Sequence, residues 1–290
     1  MVRAGESFIL YLNTALAALF ILYNNRLVPE EEIRLPLTDR AFQYNDGFFE
    51  TAIIHEGRLR FWQNHRQRMQ EAALALQLEL PSYILSPAFE EHLLQLAEQE
   101  KAHGAGRLKL KVWRAGAGLY TPQTHQVNVL ATVAPIVALP SRKPLQIGIC
   151  KAAHTSYTPL SHFKGPNGPL YVLAAHEKSI NQLDDMLLLS QAGMVAELTS
   201  SNIFWVQNQV LCTPALETGC INGIARRNIL RYAQQQMQVQ EVMLSPDHLL
   251  KADAVFAANV TGIRGIESIE GQPISQQEEF VQQLRLSLGL

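Results

Sequence analysis

The stretch Ser161-His162-Phe163-Lys164-Gly165-Pro166-Asn167-Gly168 begins the part of the chain that decides its fold. A helical segment, an apolar strand and a glycine turn follow, at residues 174–178, residues 186–189 and Gly193. The stretch closes on Val195-Ala196-Glu197-Leu198-Thr199-Ser200-Ser201-Asn202-Ile203-Phe204. A buried charge is costly unless it is paired, and the strand around Glu197 contains no basic residue. The sequence therefore predicts that a cation from elsewhere neutralises Glu197.

The order of lysine, helix, apolar strand, glycine turn and Glu-x-x-Ser-x-Asn-Ile-Phe resembles the fold type IV pyridoxal-phosphate enzymes. These comprise the class IV aminotransferases, for branched-chain and D-amino acids, and 4-amino-4-deoxychorismate lyase. The resemblance implies that Lys164 forms a Schiff base with pyridoxal 5′-phosphate and that Glu197 accepts a hydrogen bond from the protonated pyridine nitrogen. A pyridinium would be the missing cation and would keep the ring an electron sink. Without the resemblance, a solvated loop lysine and an edge-strand glutamate are the commoner interpretation.

A second block near the N-terminus, Asp39-Arg40-Ala41-Phe42-Gln43-Tyr44-Asn45-Asp46-Gly47-Phe48-Phe49-Glu50-Thr51, resembles the family pattern D-R-x-F-x-x-G-D-G-x-F-E-T. Asn45 stands where glycine is usual, and asparagine is the next-best residue for a positive φ. By the resemblance, Tyr44 and Glu50 are candidate substrate-binding residues. Lyases of the family can carry threonine at the position of Glu50, which favours transamination.

Two blocks predict a phosphate site. Asn64-His65-Arg66-Gln67-Arg68-Met69 opens a helix and matches the family's H-x-x-R-L, in which the arginine, here Arg68, binds the cofactor phosphate. The planar guanidinium can donate two hydrogen bonds to a phosphate. Thr218-Gly219-Cys220-Ile221-Asn222-Gly223-Ile224-Ala225-Arg226-Arg227 resembles G-x-L-x-G-I-T-R and runs into a helix that we expect to reach about Met237. The backbone amides of Gly223, Ile224 and Ala225 would hold the phosphate, because a helix N-terminus attracts anions.

Two strands supply the remaining candidates. Val255-Phe256-Ala257-Ala258-Asn259-Val260-Thr261-Gly262-Ile263 resembles the family strand end that contacts phosphate and substrate carboxylate, so Asn259, Val260 and Thr261 are cofactor-binding candidates. Residues 107–114 alternate between basic and apolar side chains, as in a half-solvated strand. The family places a substrate-carboxylate group on this strand, and Lys109 is the best-aligned residue.

The chain is long enough for two α/β domains, each with its own core. We expect a smaller domain at 20–134 and a larger cofactor-binding domain at 145–290, with a barrel-like sheet that starts with a strand at 145–152. Residues 134–144 would form the linker, stiffened by three prolines. The family is dimeric, with sites completed by the neighbouring subunit, so the resemblance implies a homodimer.

The N-terminal residues 1–19 precede the resemblance and are predicted to be an added segment. Residues 8–23 are almost wholly apolar, but they fall short of the roughly twenty residues that span a bilayer, and no signal cleavage site is recognisable. We therefore expect no membrane anchor. A net charge of −2 gives no basic surface for nucleic acid. Three cysteines without a C-x-x-C pair, and no histidine pair at ligand spacing, argue for a reducing, cytoplasmic location and against a metal site.

The sequence thus predicts a class IV aminotransferase that moves an amino group between an amino acid, such as a branched-chain one, and a 2-oxo acid. The alternative within the family is 4-amino-4-deoxychorismate lyase, which releases pyruvate and 4-aminobenzoate. A rival of another class is a cofactor-binding protein without turnover. The loop Gly165-Pro166-Asn167-Gly168-Pro169 departs from the family's K-x-L-N-R-L, and its prolines delay the helix that follows. The donor and its L or D stereochemistry stay open.

Overall fold

The computed structural model describes residues 19–137, 143–275 and 278–290. The predicted N-terminal segment therefore lies outside the described residues, apart from Leu19. Within the described ranges, no helix combines the length and the apolar character that a membrane crossing requires.

The first half of the chain builds a six-stranded antiparallel sheet. Its strands are β1 (Phe20–Tyr23), β2 (Arg26–Pro29), β3 (Gly47–His55), β4 (Arg58–Leu59), β5 (Ala105–Arg114) and β6 (Val127–Pro135). Their order in the sheet is β2-β1-β6-β5-β3-β4. The helices of this half are α1 (Arg40–Tyr44), α2 (Trp62–Leu76) and α3 (Pro87–Gln99). Helices α2 and α3 cover one face of the sheet and form a single apolar core with it.

Strand β5 shows why this face is the buried one. Leu108, Leu110 and Val112 are fully buried, while Lys109 between them and Arg107 before them are exposed. The alternation predicted from the sequence is therefore confirmed, because successive side chains of a strand point to opposite faces. Burying this apolar row gives the sheet one register against the helices.

The second half builds a larger, mixed sheet of nine strands. These are β7 (Leu145–Ile149), β8 (Asp185–Leu189), β9 (Val195–Leu198), β10 (Asn202–Gln207), β11 (Val210–Pro214), β12 (Gln238–Val242), β13 (Ala254–Asn259), β14 (Gly262–Ile269) and β15 (Gln272–Pro273). The order is β12-β11-β10-β13-β14-β7-β8-β9, and β15 pairs with β14. The sheet curls into a half-barrel, so that β9 at one end lies against β10, as expected of a barrel-like sheet. The helices here are α4 (Gly168–Ile180), α5 (Ile224–Ala233) and α6 (Glu278–Leu288).

Two predicted boundaries were wrong. Strand β7 ends at Ile149 and not at Ala152, because the Glu177 carboxylate accepts hydrogen bonds from the amides of Lys151 and Ala152 and pulls the chain out of the sheet. Helix α5 ends at Ala233 and not near Met237, because the chain turns there to enter β12.

The loop that carries Lys164 lies between the two sheets. Phe163 belongs to the core of the first sheet, where its ring meets Phe48 edge-on with 6.3 Å between ring centroids. All strands of the first sheet precede residue 136, and all strands of the second follow residue 144. The division into domains at 20–134 and 145–290 stays a prediction, but this arrangement places the lysine loop in the cleft between two separate sheets.

Candidate active site

A cavity of about 280 Å³ lies in the cleft beside Lys164. Eight of the nine residues predicted to bind the cofactor line it: Arg68, Lys164, Glu197, Gly223, Ile224, Ala225, Asn259 and Val260. They come from α2, the lysine loop, β9, the start of α5 and the end of β13. Residues far apart in the sequence are thus brought to one place by the fold.

Lys164 reaches the cavity from a loop fixed at its backbone. The amide of Phe49 in β3 donates a hydrogen bond of 2.9 Å to the Lys164 carbonyl. Burial, and secondarily the nearby Arg68 guanidinium, lower the pKa of Lys164 to about 8. A lysine with a lowered pKa carries more neutral amine near pH 7, and the neutral amine is the form that attacks a carbonyl carbon.

Glu197 lies at the far wall of the cavity, in the buried strand β9. Its Oε1 accepts hydrogen bonds from the Tyr171 hydroxyl (2.8 Å) and the Ile221 amide (3.1 Å). Asn202 Nδ2 lies 3.4 Å from Oε2. Burial raises the pKa of Glu197 to about 7. Among the described residues, no side chain forms an ion pair with it.

Arg68 is held by a buried carboxylate behind it. Its Nε and one terminal nitrogen donate to the two oxygens of Glu50, at 2.7 and 2.6 Å, and His65 Nδ1 lies 2.6 Å from the same carboxylate. Burial alone would raise the pKa of Glu50, but Arg68 and His65 outweigh burial and lower it to about 2. The other terminal nitrogen of Arg68 lies 3.3 Å from the Asn222 carbonyl, beside the start of α5.

The start of α5 leaves space for an anion. The first amides of a helix have no acceptor within the helix, so those of Ile224 and Ala225 are available to a ligand. Gly223 precedes them, and a Cβ at this position would lie 2.0 Å from Asn202 Oδ1. Glycine is therefore required here for the close approach of the chain to Asn202.

Asn259, the last residue of β13, and Val260 after it line the cavity, but Thr261 does not. Asn259 Nδ2 donates to the Ser200 carbonyl (3.1 Å) and to Ser201 Oγ (3.0 Å). The Thr261 amide and hydroxyl both donate to Asn259 Oδ1, at 2.8 and 2.5 Å, and its side chain is exposed in the neighbouring groove. The cofactor contact of Thr261 stays a prediction, and the tight turn into β14 places its side chain outside the cavity lining.

The three predicted substrate-binding residues do not line the cavity. Glu50 is 1% exposed, with both oxygens engaged, so it supports Arg68 from behind and has no free surface for a substrate. Tyr44 ends α1, where its ring packs against Tyr120 with centroids 5.5 Å apart. Lys109 lies on the exposed face of β5, with its ammonium 5.2 Å from the ring centroid of Phe49. Phe49 does line the cavity, so Lys109 is at the rim.

Sequence reasoning missed Tyr171, which lines the cavity and donates to Glu197. Its position three residues before the fully buried Ala174 places both on the inner face of α4, and that helical spacing was a usable signal. Thr199, Ser200 and Ser201 also line the cavity. They belong to the motif that contains Glu197, although no role was predicted for them.

The site fits pyridoxal 5′-phosphate on three separate observations. A buried carboxylate has no ion-pair partner among the described residues, an amine of lowered pKa faces the same cavity, and a helix start with an adjacent arginine offers an anion site. In the parts of the chain that the structure covers, no group of three or more His, Cys, Asp or Glu side chains is arranged to hold a metal ion.

Comparison with known proteins agrees with this geometry. Residues 47–269 match the family model for amino-transferase class IV, and the chain belongs to that family, whose members depend on pyridoxal phosphate. Among curated proteins, the chain is 29% identical over 249 residues to an aminodeoxychorismate lyase of Vibrio harveyi, covering 83% of this chain and 88% of the relative. It is 26% identical over 260 residues to a D-alanine aminotransferase of Bacillus licheniformis, covering 88% and 89% of the two chains.

Solved structures of the same fold include branched-chain aminotransferases. The Escherichia coli branched-chain amino acid aminotransferase superposes with a TM-score of 0.84 at 19% identity, covering 94% of each chain. The enzyme of Thermobaculum terrenum, solved in its PLP-form, gives a TM-score of 0.82 at 19% identity and covers 94% of this chain and 93% of its own. The predicted fold type IV architecture is thereby confirmed.

The first prediction concerns Arg68 and the cofactor phosphate. Arg68→Ala alone would leave the Glu50 carboxylate buried and unpaired, so we pair it with Glu50→Gln, which removes that charge. The double variant should bind pyridoxal phosphate more weakly by roughly 1.5–3 kcal/mol, the range for a hydrogen bond to a charged group. Affinity is measured by equilibrium dialysis, and folding by circular dichroism.

The matched control for this experiment is Arg227→Ala. Arg227 lies on α5 and pairs with the part-exposed Glu71, so its loss should leave cofactor affinity unchanged. If the folded Glu50→Gln/Arg68→Ala protein binds the cofactor as tightly as the wild type, Arg68 has no part in holding the phosphate.

Proposed function

We propose that this protein is an aminotransferase that uses pyridoxal phosphate to move an amino group between an amino acid and a 2-oxo acid. The observation that carries the proposal is the joint placement of Lys164 and Glu197 on one cavity, with Arg68 and the start of α5 on its wall. A nucleophilic amine, a carboxylate awaiting a cation and an anion site are the three groups that this cofactor needs.

The residues divide the work between holding and proton transfer. Arg68 and the amides of Ile224 and Ala225 bind the phosphate, and Asn259 and Val260 close the cavity beside them. Glu197 would accept the hydrogen bond of the pyridine nitrogen and hold a proton there, and the positive ring would favour the charged form of the carboxylate. Pyridoxal phosphate, when bound, supplies the electron sink for the substrate carbanion.

Lys164 acts twice at its Nζ. It would hold the cofactor and, as a free amine, would take the proton from the substrate α-carbon as a general base. It then returns a proton as a general acid. Its pKa of about 8 suits both roles, because a catalytic base works best when its pKa is near the working pH.

We propose Lys109 as the group at the rim that attracts the substrate carboxylate. Its ammonium lies over Phe49, and its strand neighbour Thr51 lines the cavity. Glu50 has no direct substrate contact in this proposal and acts only through Arg68. Glu50 stands where some lyases carry threonine. Because it does not contact the substrate in this proposal, it supports transamination less strongly than the sequence alone indicates.

We also propose a homodimer, in which Tyr44 serves the cavity of the neighbouring subunit. Tyr44 does not line its own cavity, and exposed apolar side chains surround it on the same part of the surface: Leu37, Phe42, Leu119 and Tyr120. Such a cluster is typical of an interaction surface.

Light scattering during gel filtration should give twice the mass of one chain, and a monomeric mass contradicts the proposal.

We propose that the protein is cytoplasmic, because its cysteines form no disulfide. Cys150, Cys212 and Cys220 are all buried and free, as expected of a protein that lives in a reducing compartment. Cell fractionation with a tagged full-length chain tests this, and recovery from a secreted or membrane fraction contradicts it.

The second candidate function is aminodeoxychorismate lyase, and the similarity to the Vibrio harveyi lyase over most of both chains supports it. The two activities differ in one requirement. Transamination stops after a single turnover unless a 2-oxo acid accepts the amino group, whereas the lyase releases pyruvate and 4-aminobenzoate from aminodeoxychorismate without an acceptor.

The test is a panel of L- and D-amino acids with and without a 2-oxo acid, run beside aminodeoxychorismate alone. We expect multiple turnovers with at least one amino acid and only when the oxo acid is present. Continuous pyruvate release from aminodeoxychorismate, with no turnover on any amino acid, assigns the protein to the lyase and overturns the proposal.

A further inference from the structure

The loop that carries Lys164 is pressed against the start of β3. Gly165 has φ +149°, and a Cβ at this position would lie 2.6 Å from the Gly47 carbonyl oxygen and 2.8 Å from Phe48 Cα. The Phe49 amide donates to the Lys164 carbonyl across the same contact. Lys164 belongs to the half of the chain that builds the second sheet, but the first sheet holds its backbone in place.

Asn45 adds a side-chain bond to this contact. It caps the C-terminal end of α1 in the left-handed conformation, with φ 50° and ψ 37°. Its Nδ2 donates a hydrogen bond of 2.9 Å to the Gly165 carbonyl, and the Lys111 ammonium lies 3.4 Å from its Oδ1. Lys111 fixes which end of the amide faces Gly165, because an ammonium can only donate hydrogen bonds.

The Gly165 carbonyl accepts a second hydrogen bond in addition to the one from Asn45. The Gly168 amide, at the start of α4, also donates to it at 3.0 Å. The Gly165–Pro166 peptide, one residue beyond Lys164, is thus held by the start of α4 and by Asn45. A glycine at position 45 could adopt the same backbone conformation but could not make this bond.

We propose that Asn45 is a positioning residue for Lys164, which it holds through the Gly165 carbonyl at the distance from which the amine reaches the cofactor aldehyde. The inference rests on the proposed function, in which Lys164 binds the cofactor. The proposal explains why residue 45 is asparagine although glycine would satisfy the backbone of this turn. It also accounts for the occurrence of this asparagine together with a lysine loop that contains two prolines and leads into α4 at Gly168. The amide supplies a bond to this loop from the turn between α1 and β3.

Three variants test the proposal. Asn45→Gly keeps the left-handed turn and removes the amide. Asn45→Asp keeps the size and the bond to Lys111 but places a carboxylate oxygen opposite the Gly165 carbonyl. Asn208→Gly is the matched control, because Asn208 is also left-handed (φ 51°), and it is exposed in the turn between β10 and β11.

Two readouts separate positioning from stability. The first is the rate at which the cofactor-free protein links pyridoxal phosphate covalently, followed by stopped-flow absorbance. The second is the pH dependence of acylation of Lys164 in the cofactor-free protein, read by peptide mass spectrometry. The second needs no cofactor and so stands apart from the proposed function. Thermal melting of each variant reports any loss of stability.

We expect Asn45→Gly to slow covalent linkage about fivefold, which corresponds to one hydrogen bond, and Asn45→Asp by at least about tenfold. In both variants, the midpoint of Lys164 acylation should move to higher pH. An amine that is held less firmly is better solvated, and solvation raises its pKa. Asn208→Gly should match the wild type in both readouts. If Asn45→Gly matches Asn208→Gly in rate and midpoint, Asn45 serves only the turn and the inference is wrong. If the wild type links no cofactor at Lys164 and the acylation midpoint is the same in all variants, both the inference and the proposed function fail.

Discussion

Lys164→Ala should reduce turnover by roughly 10²–10⁴-fold, the range for removal of a general acid-base group, while the protein still folds and still binds pyridoxal phosphate. The amine is the one nucleophile on the cavity, among the residues that the structure describes, that can both hold the cofactor and carry the α-proton. Arg68 and the start of α5 do not depend on it, so they should continue to bind the phosphate. Turnover is measured with the best donor and acceptor pair from the panel, and binding by equilibrium dialysis.

The control for this variant is Lys178→Ala. Lys178 lies on α4 and faces the neighbouring groove outside the cavity, so its loss should leave turnover near the wild-type value. An added primary amine, such as methylamine, should restore part of the activity of Lys164→Ala, because it can take the α-proton in place of Nζ. Turnover of Lys164→Ala at the wild-type rate would show that another group is the base.

Glu197→Gln should slow removal of the α-proton by roughly 100-fold or more, comparable with the loss of one preorganised electrostatic group. The glutamine cannot stabilise a protonated pyridine nitrogen as a carboxylate does, so the electron sink is weakened in the transition state, where stabilisation raises the rate. Cofactor binding should fall only moderately, because Lys164 and the phosphate site remain. The rate of α-proton exchange of the donor in deuterium oxide measures this step directly.

In the cofactor-free protein, Glu197→Gln should remove a loss of stability that the wild type shows as the pH rises. Burial raises the pKa of Glu197 to about 7 in the folded protein, above the value of about 4.3 for an unfolded glutamate. The unfolded chain therefore loses this proton first, so the cofactor-free wild type loses stability as the pH rises from about 4.3 to about 7. This loss is on the order of 3 kcal/mol, and Glu197→Gln should lack it because glutamine does not titrate. Tyr171 and the Ile221 amide can still donate to its amide oxygen, so the variant should fold.

Urea unfolding of the cofactor-free proteins at pH 5 and pH 8 tests this sign. The wild type should lose more stability than Glu197→Gln between the two values, and saturating pyridoxal phosphate should remove the difference. A Glu197→Gln protein that exchanges the α-proton at the wild-type rate would make Glu197 a strand residue without a catalytic role.

Residues whose charge is unusual for their local setting could be recognised from the sequence as candidates for the site. Lys164 on a Gly/Pro loop and Glu197 in an apolar strand are conspicuous because charges in such places need partners, and the structure brings both to one cavity. The candidate phosphate site was predictable for a similar reason, since the unpaired amides at a helix start attract anions whatever the rest of the fold. Strand β5 was predictable from its strict alternation.

The surroundings of other candidate residues could not be predicted, because they depend on contacts that local sequence patterns do not show. Glu50 was expected at the substrate, but 18 positions along the chain Arg68 engages both of its oxygens. Thr261 was expected at the phosphate, but the tight turn into β14 directs it to the next groove. The bond from Asn45 to Gly165 spans 120 positions, and no local pattern announces it.

The most direct test of the central claim is to identify the residue that holds the cofactor. The purified protein, incubated with pyridoxal phosphate, is reduced with borohydride, digested and mapped by mass spectrometry. We predict a visible absorption band that borohydride abolishes, and a single stable pyridoxyl adduct on Lys164. An adduct on another lysine, or a colourless protein that retains no cofactor after reduction, contradicts the account.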